Sequence, residues 1–315
     1  MKIGFIGLGN VGAKLAGSLQ RNGFELIVRD LDIAAAQSLL AEGAAWADSP
    51  KRLAQMADLI ITCLPSPAVV SDVMESDDGV IAGLGPAKIW LEMSTTDEAE
   101  VKRLATLVEA AGAMSLDGPV SGGCHRAATG NISIFVGGDR VAFEKALPAL
   151  TAMGRRILHA GPLGSASVLK VVTNYLCSVH LVALGEAMMV AKKAGMDLNI
   201  TFEAIRISSG NSFVHETESQ VILNGSYNIN FTMDLVIKDM SLFDGLADRL
   251  EVPLEVSPLV LDIFKDGQAR YGNRAWSSMI VKRLEDACGT DLRTPGFPGE
   301  IIDDEAEEPG YEVVV

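Results

Sequence analysis

Six residues near the start of the chain, Gly7-Leu8-Gly9-Asn10-Val11-Gly12, restrict the possible folds more than any other segment. They follow an apolar run at residues 2–6 and open a helical pattern in which Val11, Leu15 and Leu19 keep one face apolar. A GxGxxG pattern carries little weight by itself. Between a strand and a helix it acquires a mechanism. The first glycine permits a tight turn, the second lets the backbone approach a pyrophosphate, and the third lets the helix pack close to the strand. The helix N–H groups then face the phosphates.

The next segments repeat the same alternation. An apolar strand at 24–28 ends in Arg29-Asp30, an alanine-rich helix covers 33–40, and a second helix covers 50–56. Residues 59–64 form a third apolar strand, stopped by Pro65 and Pro67; residues 89–93 form another, followed by a helix at 98–110 and strands at 114–117 and 132–137. Strands alternating with helices of this length require crossovers, and therefore a parallel sheet covered on both faces. The expected first domain is an α/β, doubly wound Rossmann domain over residues 1–162, bounded at Gly161-Pro162. From residue 165 to 194 the pattern is helical without a stop, and turns then separate further helices to about residue 288. A wholly helical second domain over 163–290 is expected, followed by an acidic tail over 291–315 that contains proline and glycine. The tail lacks a regular pattern; floppiness and docking on a neighbouring subunit are both open to it.

Asp30 closes the second strand, 18 residues after Gly12, where a carboxylate would take the ribose hydroxyls and repel a 2′-phosphate. That favours NAD. Arg29 keeps NADP open, since a guanidinium there would pair with the phosphate. Leu64-Pro65 and Ser94-Thr95 end two central strands, beyond which ligands of open α/β sheets bind, so they are expected on the nicotinamide side.

The net charge of −15 argues against nucleic-acid or anionic-membrane partners, which need basic surface. Cys63, Cys124, Cys177 and Cys288 form no CxxC pair, and the four histidines are scattered, so no metal site is expected. No basic leader with an apolar core opens the sequence, and the apolar run at 175–190 reads as too short and too polar to span a bilayer. A cytoplasmic enzyme is expected, and its long apolar helix calls for cover from another copy, as a homodimer or homotetramer.

Two further groups carry chemistry. Ser121-Gly122-Gly123 offers a hydroxyl and backbone N–H groups uncovered by side chains, a cradle for a carboxylate and hence for a small anionic substrate. Lys170 and Asn174, four apart, share a helix face among Val168, Leu169, Val171 and Val172. A lysine desolvated there would have its pKa lowered and could accept a proton; a solvated surface lysine is the bland alternative.

With these residues in view, a family likeness emerges. Gly4 through Gly12 resembles the opening signature of β-hydroxyacid dehydrogenases, the group of 3-hydroxyisobutyrate, tartronate semialdehyde and succinic semialdehyde enzymes. Asp117 through Gly123 is similar to their substrate-binding block, Gly164 through Lys170 to Asn174 to their catalytic helix, and Lys238-Asp239-Met240 to their lysine-aspartate pair. The resemblance implies a nicotinamide-dependent oxidoreductase. It makes Lys170 the general acid and base and gives Asn174 the orientation of the substrate hydroxyl. Ser121, Gly122 and Gly123 would hold the carboxylate, Lys238 would face cofactor and substrate, and Asp239 would hold the surrounding geometry. The related 6-phosphogluconate dehydrogenases would need a histidine beside the lysine, and imine reductases typically lack the lysine. A cofactor-binding sensor is the non-enzymatic alternative. Departures from the pattern are Cys124-His125-Arg126 after the glycines, Thr173 before Asn174, and the acidic tail. His125 and Arg126 either add charge for a second acidic group on the substrate or point to solvent.

Overall fold

The computed structural model describes all 315 residues, which form two compact units: residues 1–170 with 303–315, and residues 171–302. The first unit holds every strand: β1 (Lys2–Ile6), β2 (Glu25–Arg29), β3 (Ala45–Trp46), β4 (Leu59–Thr62), β5 (Ile89–Glu92), β6 (Met114–Asp117), β7 (Val120–Ser121), β8 (Ser133–Gly138), β9 (Arg156–Gly161) and β10 (Tyr311–Glu312). They make one sheet in the order β10-β9-β8-β6-β5-β4-β1-β2-β3, with β7 paired to β8. Its helices are α1 (Gly12–Arg21), α2 (Gln37–Ala41), α3 (Pro50–Met56), α4 (Pro67–Glu75), α5 (Glu98–Ala110), α6 (Gly123–Thr129) and α7 (Arg140–Met153).

Each side of the sheet buries its own cluster, because successive side chains along a strand point to opposite faces. Ile3 and Phe5 pack with Leu15, Leu19, Phe143 and Leu150 on one side. Ile6, Ile60 and Trp90 pack with Leu53, Val70 and Leu104 on the other. The helices start where short polar side chains accept their first free N–H groups: Ser49 from Arg52, Ser66 from Val69, Asp97 from Ala99 and Asp139 from Val141.

The sheet departs from the sequence reading in strand direction and in strand number. From β6 through β3 every pairing is parallel, but β8 runs antiparallel to β6 and parallel to β9. Between β6 and β8 the chain forms only β7 and the seven-residue α6, too little for a covering crossover, so it returns in the opposite direction. The strand at β9 escaped the sequence reading, its apolar core being short and flanked by Arg156, His159 and Gly161.

The end of the C-terminal segment folds back onto the first unit. Residues 294–309 have no helix or strand, yet Tyr311 and Glu312 pair in parallel with Arg156 and Ile157 at the edge of the sheet.

The helix α8 (Ser165–Lys193) runs for 29 residues and leads into the second unit, with α9 (Leu198–Arg206), α10 (Phe213–Asn224), α11 (Met233–Arg249), α12 (Val256–Tyr271) and α13 (Lys282–Cys288). By length and composition α8 would reach across a membrane, which corrects the reading of its central run as too short. In the second unit, Met188, Ile222, Met240 and Phe264 are fully buried in one cluster.

That unit also buries Glu218 on α10, whose carboxyl is pushed up to about 8 by burial, the Cys177 thiol 3.9 Å away opposing the shift only in part. The native state therefore keeps a proton that the unfolded chain releases from the ordinary value of 4.5 upward, and stability falls as pH rises through this window. Glu218→Gln should flatten the dependence: Tm between about pH 5 and about pH 9 should drop less than in the parent, by calorimetry.

Candidate active site

The phosphate loop shows which of its glycines serve the fold. Gly7 has φ +97°, and a Cβ on it would lie 2.3 Å from the Cys63 carbonyl oxygen; one on Gly12 would lie 2.0 Å from the Gly7 carbonyl oxygen. Side chains at either position would wedge the turn apart. A Cβ on Gly9 would meet nothing within 4 Å. No neighbour in the chain explains that glycine, whereas a pyrophosphate lying against the loop would. Gly9 and Asn10 are exposed, Val11 is half-buried and Leu8 is buried, so the open side of the loop is the side a dinucleotide would use. The first turn of α1 carries no acidic side chain to repel it.

Asp30 stands beside this loop. Its Oδ2 accepts from the Leu8 N–H at 2.6 Å, and its Oδ1 accepts from the Asp32 N–H at 3.1 Å. Arg29 is held over the Trp46 ring, 5.0 Å from its centroid, and donates to the Asp30 carbonyl.

At the ends of β4 and β5 a buried carboxylate, overlooked in the sequence, joins the two expected cofactor-lining segments. Glu92 Oε1 accepts from the Ser94 N–H at 2.6 Å, and its Oε2 accepts from the Thr62 hydroxyl at 2.6 Å. Trp90 Nε1 donates to that hydroxyl at 2.9 Å, and the Leu64 N–H donates to Ser94 Oγ at 2.7 Å. Burial and the charge of Asp117 push the Glu92 carboxyl up to about 7, against the pull of its hydrogen bonds. Pro65 is exposed and Thr95 half-buried at the same strand ends. The available signal was one acid closing the otherwise apolar Ile-Trp-Leu-Glu strand.

Asp117, also fully buried, closes β6. Its Oδ1 accepts from the Gly164 N–H at 2.9 Å; its Oδ2 accepts from the Ser167 N–H at 2.7 Å and the Ser167 hydroxyl at 2.9 Å. It thus binds the opening turn of α8, where N–H groups lack partners of their own. The same residue lies four positions before Ser121, and Lys170 follows Ser167 by three. One carboxylate therefore couples the strand leading to the Ser121 cradle to the helix carrying Lys170. Lys170 is half-buried.

Ser121 ends β7, and Gly122 and Gly123 begin α6 with φ values of +130° and +86°. Side chains that follow fold back over them. A Cβ on Gly122 would lie 3.3 Å from Arg126 Cδ, and one on Gly123 would lie 2.8 Å from His125 Cε1. Both residues are half-buried, and neither projects freely into solvent.

In the second unit, Asn174 Nδ2 donates to Asp239 Oδ2 at 2.6 Å, and Lys238 Nζ pairs with Asp239 Oδ1 at 2.8 Å. Asp239 is only 3% exposed, so this is no solvated ion pair. It fixes the Asn174 amide with its NH2 toward the carboxylate, and places Lys238 beside it. Tyr175 stacks on Phe243 with ring centroids 4.3 Å apart, steadying α8 against α11 at this level.

Residues 2–161 match the family described as the NAD binding domain of 6-phosphogluconate dehydrogenase, and residues 164–284 match that described as NAD-binding of NADP-dependent 3-hydroxyisobutyrate dehydrogenase. The chain is 31% identical to 2-(hydroxymethyl)glutarate dehydrogenase of Eubacterium barkeri, over 93% of this chain and 97% of the relative. It is 35% identical to the NAD-dependent L-serine dehydrogenase of Pseudomonas aeruginosa, over 90% and 98%. Among solved structures, 3-hydroxyisobutyrate dehydrogenase from Salmonella typhimurium superposes with a TM-score of 0.82 at 29% identity, covering 90% of this chain and 99% of that one.

The division of labour within the loop can be tested by two substitutions. Gly12→Ala should cost roughly 1–3 kcal/mol of stability in denaturant titration, because its methyl group meets backbone. Gly9→Ala should leave stability within about 0.5 kcal/mol of the parent and weaken NADH binding about tenfold or more by fluorescence titration.

Proposed function

The chain belongs to the β-hydroxyacid dehydrogenase family, NAD(P)-dependent oxidoreductases of small hydroxy acids, and we propose that Lys170 is its general acid and base. The substrate is a small β-hydroxy carboxylic acid, or the corresponding semialdehyde in reverse. The nicotinamide, when bound, supplies the hydride acceptor or donor.

Every other part of the reaction falls to side chains and backbone N–H groups of the chain. The Ser121 hydroxyl and the N–H groups of Gly122 and Gly123 hold the carboxylate. Neutral Lys170 takes the proton of the β-hydroxyl as the carbon loses hydride, and returns it to the oxygen in the reductive direction. Asn174, one turn along the same helix, orients the hydroxyl, and Asp239 fixes its amide. Lys238 adds a cation beside that pair. Gly7 through Gly12 receive the pyrophosphate, and Asp30 receives the ribose, which favours NAD because Arg29 is engaged over Trp46. Leu64, Pro65, Ser94 and Thr95 border the nicotinamide.

The observation that carries this reading is the set of bonds from Asp117 to Gly164 and Ser167, which ties the carboxylate cradle and the lysine into one unit. Positioning of this kind supplies much of a hydride transferase's rate, since the cofactor brings the chemistry.

Turnover of a panel of β-hydroxy acids, followed by NADH absorbance, tests the activity. Lys170→Ala should lower kcat by about 10²–10⁴-fold while the Kd for NADH stays as in the parent. Parental turnover in that variant would remove the proposed base. We also propose a cytoplasmic homodimer or homotetramer, since α8 leaves Leu176 and Val190 exposed on the single chain. Light scattering should return two or four chain masses, and a mass of one chain would refute it.

A further inference from the structure

The two departures that flank the substrate block meet in space. Residues 303–315 fold onto the first unit and reach α6, the helix that begins at the carboxylate cradle. Asp303 Oδ2 accepts from Asn131 Nδ2 at 2.8 Å and from the Thr129 hydroxyl, and the Glu305 carbonyl accepts from Asn131 Nδ2 at 3.0 Å. Glu305 Oε1 pairs with Arg126 Nη2 at 3.2 Å. Downstream, Glu308 pairs with Arg155, Glu312 with Arg140 at 2.5 Å, and β10 zips onto β9.

A substrate bound at Ser121-Gly122-Gly123 through one carboxylate would need a local cation to hold a second. The chain offers two directly after the cradle, and both are spent. His125 lies against Gly123, where burial and the charge of Arg126 push its pKa below the usual imidazole range and leave it neutral. The Arg126 stem crosses Gly122 and delivers its guanidinium to Glu305, with the Asp303 charge close by. A second substrate carboxylate that reached for Arg126 would find Glu305 already on it. Because the tail is tethered at both α6 and β9, it competes for Arg126 as an intramolecular ligand.

We propose that Asp303 and Glu305 are specificity determinants: by occupying Arg126 they restrict the enzyme to monocarboxylic β-hydroxy acids and turn away dicarboxylic ones. This rests on the hydroxy-acid reading given above and names its substrate class. Nothing in it involves the reacting atoms. The tail acts on selectivity alone.

The test compares 3-hydroxypropionate with 2-(hydroxymethyl)glutarate on the full-length enzyme and on Asp303→Asn/Glu305→Gln. The parent should prefer the monocarboxylate by about tenfold or more in kcat/KM. The double variant should gain about tenfold on the dicarboxylate through KM, with kcat and the monocarboxylate KM held. Adding Arg126→Met should abolish that gain. An unchanged preference in the double variant, or a gain that survives Arg126→Met, overturns the proposal. If the parent turns over neither acid, the hydroxy-acid reading fails separately. Calorimetric titration of the same NADH-loaded proteins with glutarate and butyrate then still decides the tail's role, since tighter glutarate binding only in the double variant supports it and equal binding in all refutes it. Circular dichroism melting confirms that each variant is folded.

Discussion

One buried carboxylate ties the end of β6 to the start of α8. Asp117 accepts three hydrogen bonds from the opening of α8, and Gly137 leaves the room it needs: a Cβ there would stand 2.3 Å from Asp117 Oδ1. A buried carboxylate without donors would be too costly to keep, and buried helix N–H groups without acceptors carry a smaller cost of the same kind. Each solves the other's problem. The bond set therefore cannot slip by a residue without exposing both, and the distance along the chain between the cradle and Lys170 becomes a fixed distance in space. The proposed chemistry depends on that rigidity more than on any single contact to substrate.

Glu92, the register partner of Asp117 on the neighbouring strand β5, shows the opposite solution. It too is fully buried, but hydroxyl and single N–H partners give it less compensation, and its carboxyl rises to about 7. Its task is to join strand ends. By accepting from Thr62 and from the Ser94 N–H, it sets the loop starts that border the nicotinamide in the proposed arrangement, while Ser94 Oγ turns back to the Leu64 N–H. Ser94 thus serves the shape of the site before it serves any ligand.

Much of this was legible in the residues. Continuous apolar runs revealed the central strands because such strands are covered on both faces, and the glycine spacing located the loop because only glycine tolerates those approaches. Helix α5 was readable at both ends, with Asp97 before it and no competing period within it. What stayed hidden depended on partners distant in sequence. The reversal of β8 and the pairing of β10 follow from which edge is free, and local periodicity carries no information about that. The role of Asp117 was hidden similarly: it sits in a recognisable block, but its bonds reach residues 47 to 50 positions away. His125 and Arg126 could be flagged as departures, yet their folding back over the glycines depends on the left-handed turn at Gly122 and Gly123.

The added edge strand also sets the order in which the protein can be made. The first unit is discontinuous, its last strand arriving only after the whole helical unit has been synthesised. Until Tyr311 and Glu312 leave the ribosome, β9 carries a row of unpaired N–H and C=O groups, the kind of edge on which nascent chains join one another. Residues 311–312 are thus a closing stitch: a chain without them keeps every residue of the proposed site and has an open seam.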